Sequence, residues 1–202
     1  MKNPDPHCSL CPRLAAFREK NRHIFADKFN KPVPSFGPED AELLIVGLAP
    51  GLKGANFSGR PFTGDYAGEL LYSTLLKFGF ATGSYEAHID DGLQLNNCRI
   101  TNAVRCVPPE NKPTGPEINQ CQPFLKSQLE TMPNLKTIVS LGLVSHNAVL
   151  KASSEKISAH KFIHGAQHTL KNGITLIDSY HCSRYNTNTG RLTEAMFHDV
   201  FD

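Results

Sequence analysis

The chain has 202 residues, a formal net charge of +2, 40% hydrophobic residues and 20% charged residues, which is typical of a soluble globular protein. It contains no apolar run of the roughly 20 residues that a membrane-spanning helix needs, and its N-terminus, MKNPDPHC, has no signal-peptide core. We therefore expect no membrane association, and a cytoplasmic monomer with one α/β domain over residues 1–202. The small net charge neither predicts nor excludes nucleic-acid binding, because a basic patch can be local.

Helical patterns and short apolar runs alternate along the chain. Residues 1–40 form an irregular N-terminal segment around a polar helix at 13–27. Apolar runs at 42–48, 98–103, 136–141 and 174–178 predict strands that are buried on both faces. Further helices are predicted at 67–78, 116–131, 144–152 and 191–201. This alternation predicts a three-layer α/β/α sandwich with a central four-stranded parallel sheet.

Polar, glycine-rich or aromatic residues follow three of the four predicted strands. These segments are GLAPGLKGANFSGRPFTGD at 47–65, TNAVRC at 101–106 and SYHCSRYNTNTGRLT at 179–193. Because ligands bind at the carboxyl ends of parallel strands, we expect the three segments to form one site. The first segment lacks both G-x-x-x-x-G-K-[ST] and G-x-G-x-x-G, so nucleotide hydrolysis is disfavoured.

Four of the six cysteines form two spaced pairs, Cys8 with Cys11 and Cys106 with Cys121. In an intracellular protein, such pairs indicate metal binding or catalysis more than disulfides. Four thiolates suit either tetrahedral zinc or an iron–sulfur cluster, and the spacing alone leaves both open. Cys98 lies inside a predicted strand, so we expect it to be a small core residue.

The three segments and the cysteine layout together resemble the uracil-DNA glycosylase superfamily, most closely its family 5, the broad-specificity bacterial and archaeal type. The resemblance extends from Cys8 to Leu192. It implies a DNA repair enzyme that flips a deaminated base out of double- or single-stranded DNA and hydrolyses its N-glycosidic bond. Uracil is the implied substrate, together with hypoxanthine and other deaminated bases. The alternative is a non-catalytic iron–sulfur protein that binds DNA or senses damage.

The resemblance also assigns a cofactor and the base-binding residues. Families 4 and 5 hold a [4Fe–4S] cluster, and the matching ligands are Cys8, Cys11, Cys106 and Cys121. Phe62 matches the aromatic residue that stacks on the flipped base, and Asn102 matches the amide that reads the pyrimidine edge. Gly51 lies where stringent uracil enzymes have a tyrosine that blocks bulky C5 substituents. Its lack of a side chain predicts a broader substrate range.

The catalytic carboxylate departs from the commonest pattern of the superfamily. Leu48 and Ala49 occupy the positions of a polar residue and an aspartate, and family 4 has glutamate in place of Leu48. In family 5 the proposed substitute is the aspartate of FTGD, which here is Asp65. Asp65 could equally be the N-cap of the helix that follows it. His181 matches the histidine that stabilises the departing base anion.

The second motif reads His181-Cys182-Ser183 where the common form is His-Pro-Ser. Without proline the backbone loses a fixed φ, so we expect a less rigid loop. Residues after His181 could fill the gap left by the flipped nucleotide or contact phosphates, or they could be solvated loop residues. The candidates for DNA contact are Ser183, Arg184, Tyr185 and Asn188.

Overall fold

The computed structural model describes residues 1–202, which form seven α-helices and seven β-strands. The strands are β1 (Leu43–Gly47), β2 (Ala81–Thr82), β3 (Gln94–Leu95), β4 (Cys98–Asn102), β5 (Thr137–Leu141), β6 (Gln167–Thr169) and β7 (Thr175–Ser179). The helices are α1 (Pro12–Ile24), α2 (Ala55–Ser58), α3 (Tyr66–Lys77), α4 (Gly115–Thr131), α5 (Leu143–Ala152), α6 (Arg184–Asn188) and α7 (Glu194–His198). None of these helices has the length and apolar character needed to cross a membrane.

The central sheet has five strands in the order β4–β1–β5–β7–β6. The four predicted strands are parallel to one another, whereas β6 pairs antiparallel with β7 at one edge. The prediction of a four-stranded sheet therefore missed β6. Its three residues, Gln167, His168 and Thr169, are polar and partly exposed, so β6 lacks the apolar run by which the other strands were recognised.

Helices cover both faces of the sheet, which confirms the predicted three-layer sandwich. On β1, Leu43 and Ile45 belong to a core cluster that contains residues of α3 and α7. Leu44 and Val46 belong to a second cluster, which contains residues of α4 and α5. Since successive side chains of a strand point to opposite faces, all four are buried and β1 is apolar throughout.

The chain after β7 differs most from the prediction. A short helix, α6, begins directly after its N-cap Ser183, whose hydroxyl accepts a hydrogen bond from the Asn186 amide. The predicted helix at 191–201 is shortened to α7, and its N-cap is Thr193, whose hydroxyl accepts from the Met196 amide at 3.2 Å. The helix predicted at 13–27 likewise ends earlier, at Ile24. For α6 and α7, capping side chains thus mark starts that the sequence pattern did not locate.

Candidate active site and cysteine cluster

A cavity of about 330 Å³ opens at the carboxyl edge of the sheet. It is lined by residues from the three segments that the sequence singled out, and those with predicted roles are Gly51, Phe62, Asp65, Asn102, His181, Ser183 and Arg184. The expected single site is therefore present. Tyr185 and Asn188 do not line the cavity. They lie on α6, where both are exposed and Tyr185 is 72% exposed.

Phe62 has an unusual backbone conformation for a residue with a large side chain. Its φ is +53°, a left-handed value that costs energy unless the surrounding structure holds it. Its ring is buried, and a Cβ atom at Gly47 would lie 2.6 Å from the ring atom Cζ. A Cβ atom at Gly68 would collide with the carbonyl oxygen of Phe62. Glycines at 47 and 68 therefore leave the space that Phe62 occupies.

Side chains from the long 79–97 connection hold the segment around Phe62. Tyr85 donates a hydrogen bond from its hydroxyl to the carbonyl oxygen of Phe62 at 3.1 Å. Arg60 makes two hydrogen bonds to the buried Asp91 carboxylate, at 2.8 and 2.6 Å, and its guanidinium lies over the Tyr72 and Tyr85 rings. The Arg60 guanidinium holds the pKa of Asp91 well below its usual range. No pattern in the sequence indicated that this connection supports Phe62.

Asn102 is the last residue of β4 and is almost completely buried. Its side chain lines the cavity next to Gly47, where a Cβ atom would collide with its Oδ1. The backbone of Asn102 is held in the parallel ladder, since Asn102 pairs with Gly47 of β1. An amide on a rigid strand end offers a donor and an acceptor in a fixed orientation.

Asp65 caps α3 and also lines the cavity. Its Oδ1 accepts a hydrogen bond from the Gly68 amide at 3.2 Å. Its Oδ2 faces the 51–54 loop, where a Cβ atom would lie 3.3 Å away at Gly51 and 2.5 Å away at Gly54. The capping interpretation is thus confirmed, but it occupies only one carboxylate oxygen. Burial raises the pKa of Asp65, and hydrogen bonds from backbone amides of α3 counteract that rise.

His181 lines the same cavity as the first segment, with its ring centroid 6.0 Å from that of Phe62. Removal of the ring from water lowers the pKa of His181 from 6.5 to about 4. The imidazole is therefore neutral at neutral pH, with one N–H available as a donor. The Asn186 side chain donates a hydrogen bond to the carbonyl oxygen of His181 at 2.8 Å, which ties His181 to α6.

Cys182 anchors the second motif by burial. Its side chain is completely buried in the core cluster of α3, and its thiol donates to the carbonyl oxygen of Ala67 at 3.4 Å. Burial raises the pKa of Cys182, which disfavours the reactive thiolate. Packing therefore replaces the restraint that a proline would supply. Ser183 caps α6 and at the same time lines the cavity.

Two of the polar residues that line the cavity were not predicted. Tyr66 follows Asp65, and its ring lies beneath the Arg184 guanidinium at 5.0 Å. Asn111 reaches the cavity from the 107–116 loop and has a φ of +56°. The sequence signal for Tyr66 was its position beside the first motif, and for Asn111 its place in a proline-rich loop. Neither signal specifies a direction for the side chain.

The four paired cysteines gather at a second, much smaller cavity. All four line it, together with Leu14, Phe124 and other apolar residues. Cys8 and Cys11 precede α1, with Cys11 at its N-cap, Cys106 follows β4, and Cys121 lies in α4. Cys98, by contrast, is fully buried in the core under α3, as predicted.

Two buried arginines face these cysteines, and neither has a carboxylate partner. Arg18 donates to the Cys106 sulfur at 3.3 Å, and its Nε has no partner. Arg105 donates from Nε to the carbonyl oxygen of Val33 at 2.7 Å, while both of its terminal nitrogens lack partners. A buried charge is costly unless it is paired. The surroundings of the four cysteines are therefore suited to a negatively charged group.

The spacing of the sulfur atoms bears on the choice between a zinc ion and an iron–sulfur cluster. Four thiolates around one zinc ion, with Zn–S bonds of about 2.3 Å, lie about 3.8 Å from one another. No three of the four cysteine sulfurs lie within 4.8 Å of one another. This wider arrangement fits a larger group, such as an iron–sulfur cluster, better than a single zinc ion.

Comparison with known proteins gives one consistent result. The family model of the uracil DNA glycosylase superfamily matches residues 34–202. A type-5 uracil-DNA glycosylase from Thermus thermophilus is 43% identical over 198 residues, which cover 96% of this chain and 90% of the relative. The type-5 enzyme from Mycobacterium leprae is 41% identical over 202 residues, 96% of this chain and 88% of the relative. A type-4 uracil-DNA glycosylase from Sulfurisphaera tokodaii is 32% identical over 175 residues, 83% of this chain and 72% of the relative.

Proposed function

Because the chain belongs to the uracil DNA glycosylase superfamily, we propose that it is a monofunctional glycosylase that hydrolyses the N-glycosidic bond of uracil in DNA. The observation that carries this proposal is the composition of the cavity. One space collects an aromatic ring, an amide, a carboxylate and a neutral imidazole, from Phe62, Asn102, Asp65 and His181. These are the groups that recognition and departure of a flipped base require.

Each group has a distinct task in this proposal. The Phe62 ring stacks on the flipped base, while the Asn102 amide hydrogen-bonds to its polar edge. Cleavage places negative charge on the departing base and positive charge on the sugar. His181 donates a hydrogen bond to the base oxygen, and the lowered pKa of its ring supports this role, because a neutral donor persists at neutral pH. Asp65 stabilises the sugar cation through the carboxylate oxygen that α3 does not use.

The DNA contacts follow from the position of α6 at the cavity rim. Arg184 lines the cavity and stacks on Tyr66, so its guanidinium is held near the path of the backbone. Tyr185 is the most exposed aromatic side chain here and is available to fill the space left by the flipped nucleotide. Ser183 and Asn188 are available for phosphate contacts. We propose that the protein acts as a monomer, on deaminated bases in double- and single-stranded DNA.

We propose a [4Fe–4S] cluster bound by Cys8, Cys11, Cys106 and Cys121. The spacing of the sulfurs and the unpaired guanidinium nitrogens of Arg105 support it. Burial raises the pKa of Cys121 to about 12, so without a ligand this group stays a neutral thiol and cannot offset the arginine charges. Bound to iron, the cysteines are thiolates. The cluster would then connect α1 with α4 and with the segment after β4, so its role would be structural.

A base-release assay tests the catalytic proposal. Purified protein is incubated with labelled duplexes that contain uracil, hypoxanthine or xanthine, and the free base is quantified. Release of uracil is the expected result. Tight DNA binding without release of any base would instead support a non-catalytic, damage-sensing protein.

We further propose that Gly51 permits hypoxanthine release. Gly51→Tyr should suppress release of hypoxanthine more than release of uracil, because pocket shape determines base choice. A side chain at 51 also approaches Asp65, since its Cβ would lie 3.3 Å from Oδ2. Gly51→Ala is therefore the matched control. It adds that contact without the bulky ring, and it should reduce both activities equally. Uracil-only activity in the wild type would contradict the broad specificity but not the glycosylase assignment.

A further inference from the structure

Three side chains of metal-binding type converge behind the second motif and take no part in the proposed chemistry. They are His146 of α5, His168 of β6 and Asp178 of β7, and their ligand atoms lie within 4.8 Å of one another. His146 Nδ1 is 2.6 Å from Asp178 Oδ1, and His168 Nε2 is 3.0 Å from Asp178 Oδ2. Two imidazoles and one carboxylate form a common ligand set for divalent transition metals.

The hydrogen bonds of His146 cannot all be made by a neutral imidazole. Its Nδ1 faces the Asp178 carboxylate, and its Nε2 lies 3.0 Å from the carbonyl oxygen of His160. Both neighbours are acceptors, whereas a neutral imidazole carries only one hydrogen. The mismatch is resolved if His146 is a buried imidazolium, if Asp178 carries the proton, or if Nδ1 is a metal ligand and only Nε2 carries hydrogen. A ligating histidine that donates its other N–H to a backbone carbonyl is the usual arrangement at metal sites.

The Asp178 carboxylate is also oriented by hydrogen bonds from neighbouring groups. Asp178 is completely buried, and its Oδ1 accepts a hydrogen bond from the Ser140 hydroxyl at 2.9 Å. The Ile163 amide donates to Oδ2 at 3.4 Å. Such outer hydrogen bonds orient a ligating carboxylate. The His168 side chain is 14% exposed, so this side of the cluster provides a route for an ion and a coordination position for water.

We propose that His146, His168 and Asp178 bind one divalent ion of the zinc class. Its ligands come from α5, β6 and β7, so the ion would fasten the three-residue edge strand and the helix to the sheet. Asp178 lies three positions before His181, and the ion would also stabilise the strand end that carries the second motif. The site is separate from the four paired cysteines, none of which belongs to it.

Titration with Zn²⁺ and Co²⁺ tests this site in anaerobically purified protein. Calorimetry should give one equivalent of Zn²⁺ per chain, and Co²⁺ should produce d–d absorption without thiolate charge-transfer bands, which would indicate the cysteines. The melting temperature should rise with free Zn²⁺ concentration, as for any ligand that binds only the folded state.

His168→Gln is the decisive variant, because glutamine can keep a hydrogen bond to Asp178 while removing the imidazole. It should weaken Co²⁺ binding by more than about 100-fold, since even outer hydrogen-bond partners change metal affinity by about 10- to 100-fold. The matched control is His160→Gln. The His160 ring centroid lies 5.4 Å from that of His168, but its ring is not in the ligand set, so binding should be retained. Absence of binding in the wild type, or equal binding by both variants, would overturn the proposal in favour of a buried imidazolium–carboxylate pair.

Discussion

The cavity and the cysteine cluster lie at neighbouring parts of the same fold, yet polar groups are used differently in each. The cavity is open, and its polar groups, such as Asn102 and His181, are directed into space that a ligand can occupy. At the cysteine cluster the four thiols line one small, mostly apolar space, and two buried arginines lie beside it. This difference supports the proposal that the cavity residues serve chemistry and that the cluster residues serve the stability of the folded chain.

The two regions also differ in the groups that hold their side chains in place. Other protein groups hold the segment around Phe62, whose backbone is left-handed. Tyr85 donates a hydrogen bond to the Phe62 carbonyl oxygen, and Arg60 pairs with Asp91. Arg105 has no such partner for its terminal nitrogens. The cavity is therefore supported by the folded chain alone, while the cysteine region leaves buried arginine nitrogens without partners unless the proposed cluster is bound. Variants in the cavity should lose base release, whereas variants in the cysteine region should lose stability against unfolding.

The largest effect is expected from removal of a cluster ligand. Cys121→Ala should lower the free energy of unfolding by about 3–5 kcal/mol, as does breaking a buried charge pair, because the arginines then lose their counter-charge. The variant should also lose its bound iron and the brown colour that iron–thiolate ligation produces. Cys98→Ala is the matched control, since Cys98 is equally buried but only packs against apolar residues, and it should retain iron. Equal loss of stability in both variants, measured by urea unfolding, would contradict a ligand role for Cys121.

Asp65 should show the largest catalytic effect. If its charge stabilises the transition state, Asp65→Asn and Asp65→Ala should each slow single-turnover base release by about 10²-fold or more. Asparagine keeps an acceptor for the Gly68 amide, so only Asp65→Ala should also lose about 1 kcal/mol of stability. An active Asp65→Asn variant would leave Asp65 with capping as its only role.

A smaller effect is expected at Asn102, because it contributes hydrogen bonds and no charge. Asn102→Ala should slow base release by about 10-fold to 100-fold, which corresponds to about 1.5–3 kcal/mol. Affinity for undamaged DNA should not change, since phosphate contacts supply nonspecific binding. The measurement is single-turnover release together with equilibrium binding at fixed salt. An unchanged rate would remove Asn102 from base recognition.

The last effect concerns the pH dependence of stability at His181. Between its unfolded pKa of 6.5 and its folded pKa of about 4, the unfolded chain binds a proton that the folded chain does not. The free energy of unfolding should therefore fall as the pH is lowered through this window. His181→Gln should reduce the slope of stability against pH in urea unfolding series from about pH 7 to about pH 4.5. Base release by the wild type should show no step near 6.5, because folded His181 does not titrate there. A step that disappears in His181→Gln would show instead that His181 is protonated in that range.

The sequence by itself determined the parts of this protein that depend on local pattern. Four parallel strands were recognisable because each is a short apolar run buried on both faces. The carboxyl-end rule then placed three separate segments at one edge, where Phe62, Asn102 and His181 do line one cavity. The paired cysteines were likewise evident from their spacing, and the structure gathers them at one place.

Only the tertiary structure decided features that depend on partners distant in the chain. The edge strand β6 exists because β7 offers it a pairing edge, and its own residues are too polar to indicate a strand. The Arg60 pairing with Asp91 and the convergence of His146 on Asp178 each join residues about 30 positions apart. One carboxylate oxygen of Asp65 accepts a hydrogen bond from α3, and the other lies beside Gly51. A linear sequence motif does not reveal this arrangement. Hydrogen bonds and ion pairs of this kind depend on side-chain directions, and those are set by packing rather than by the local sequence.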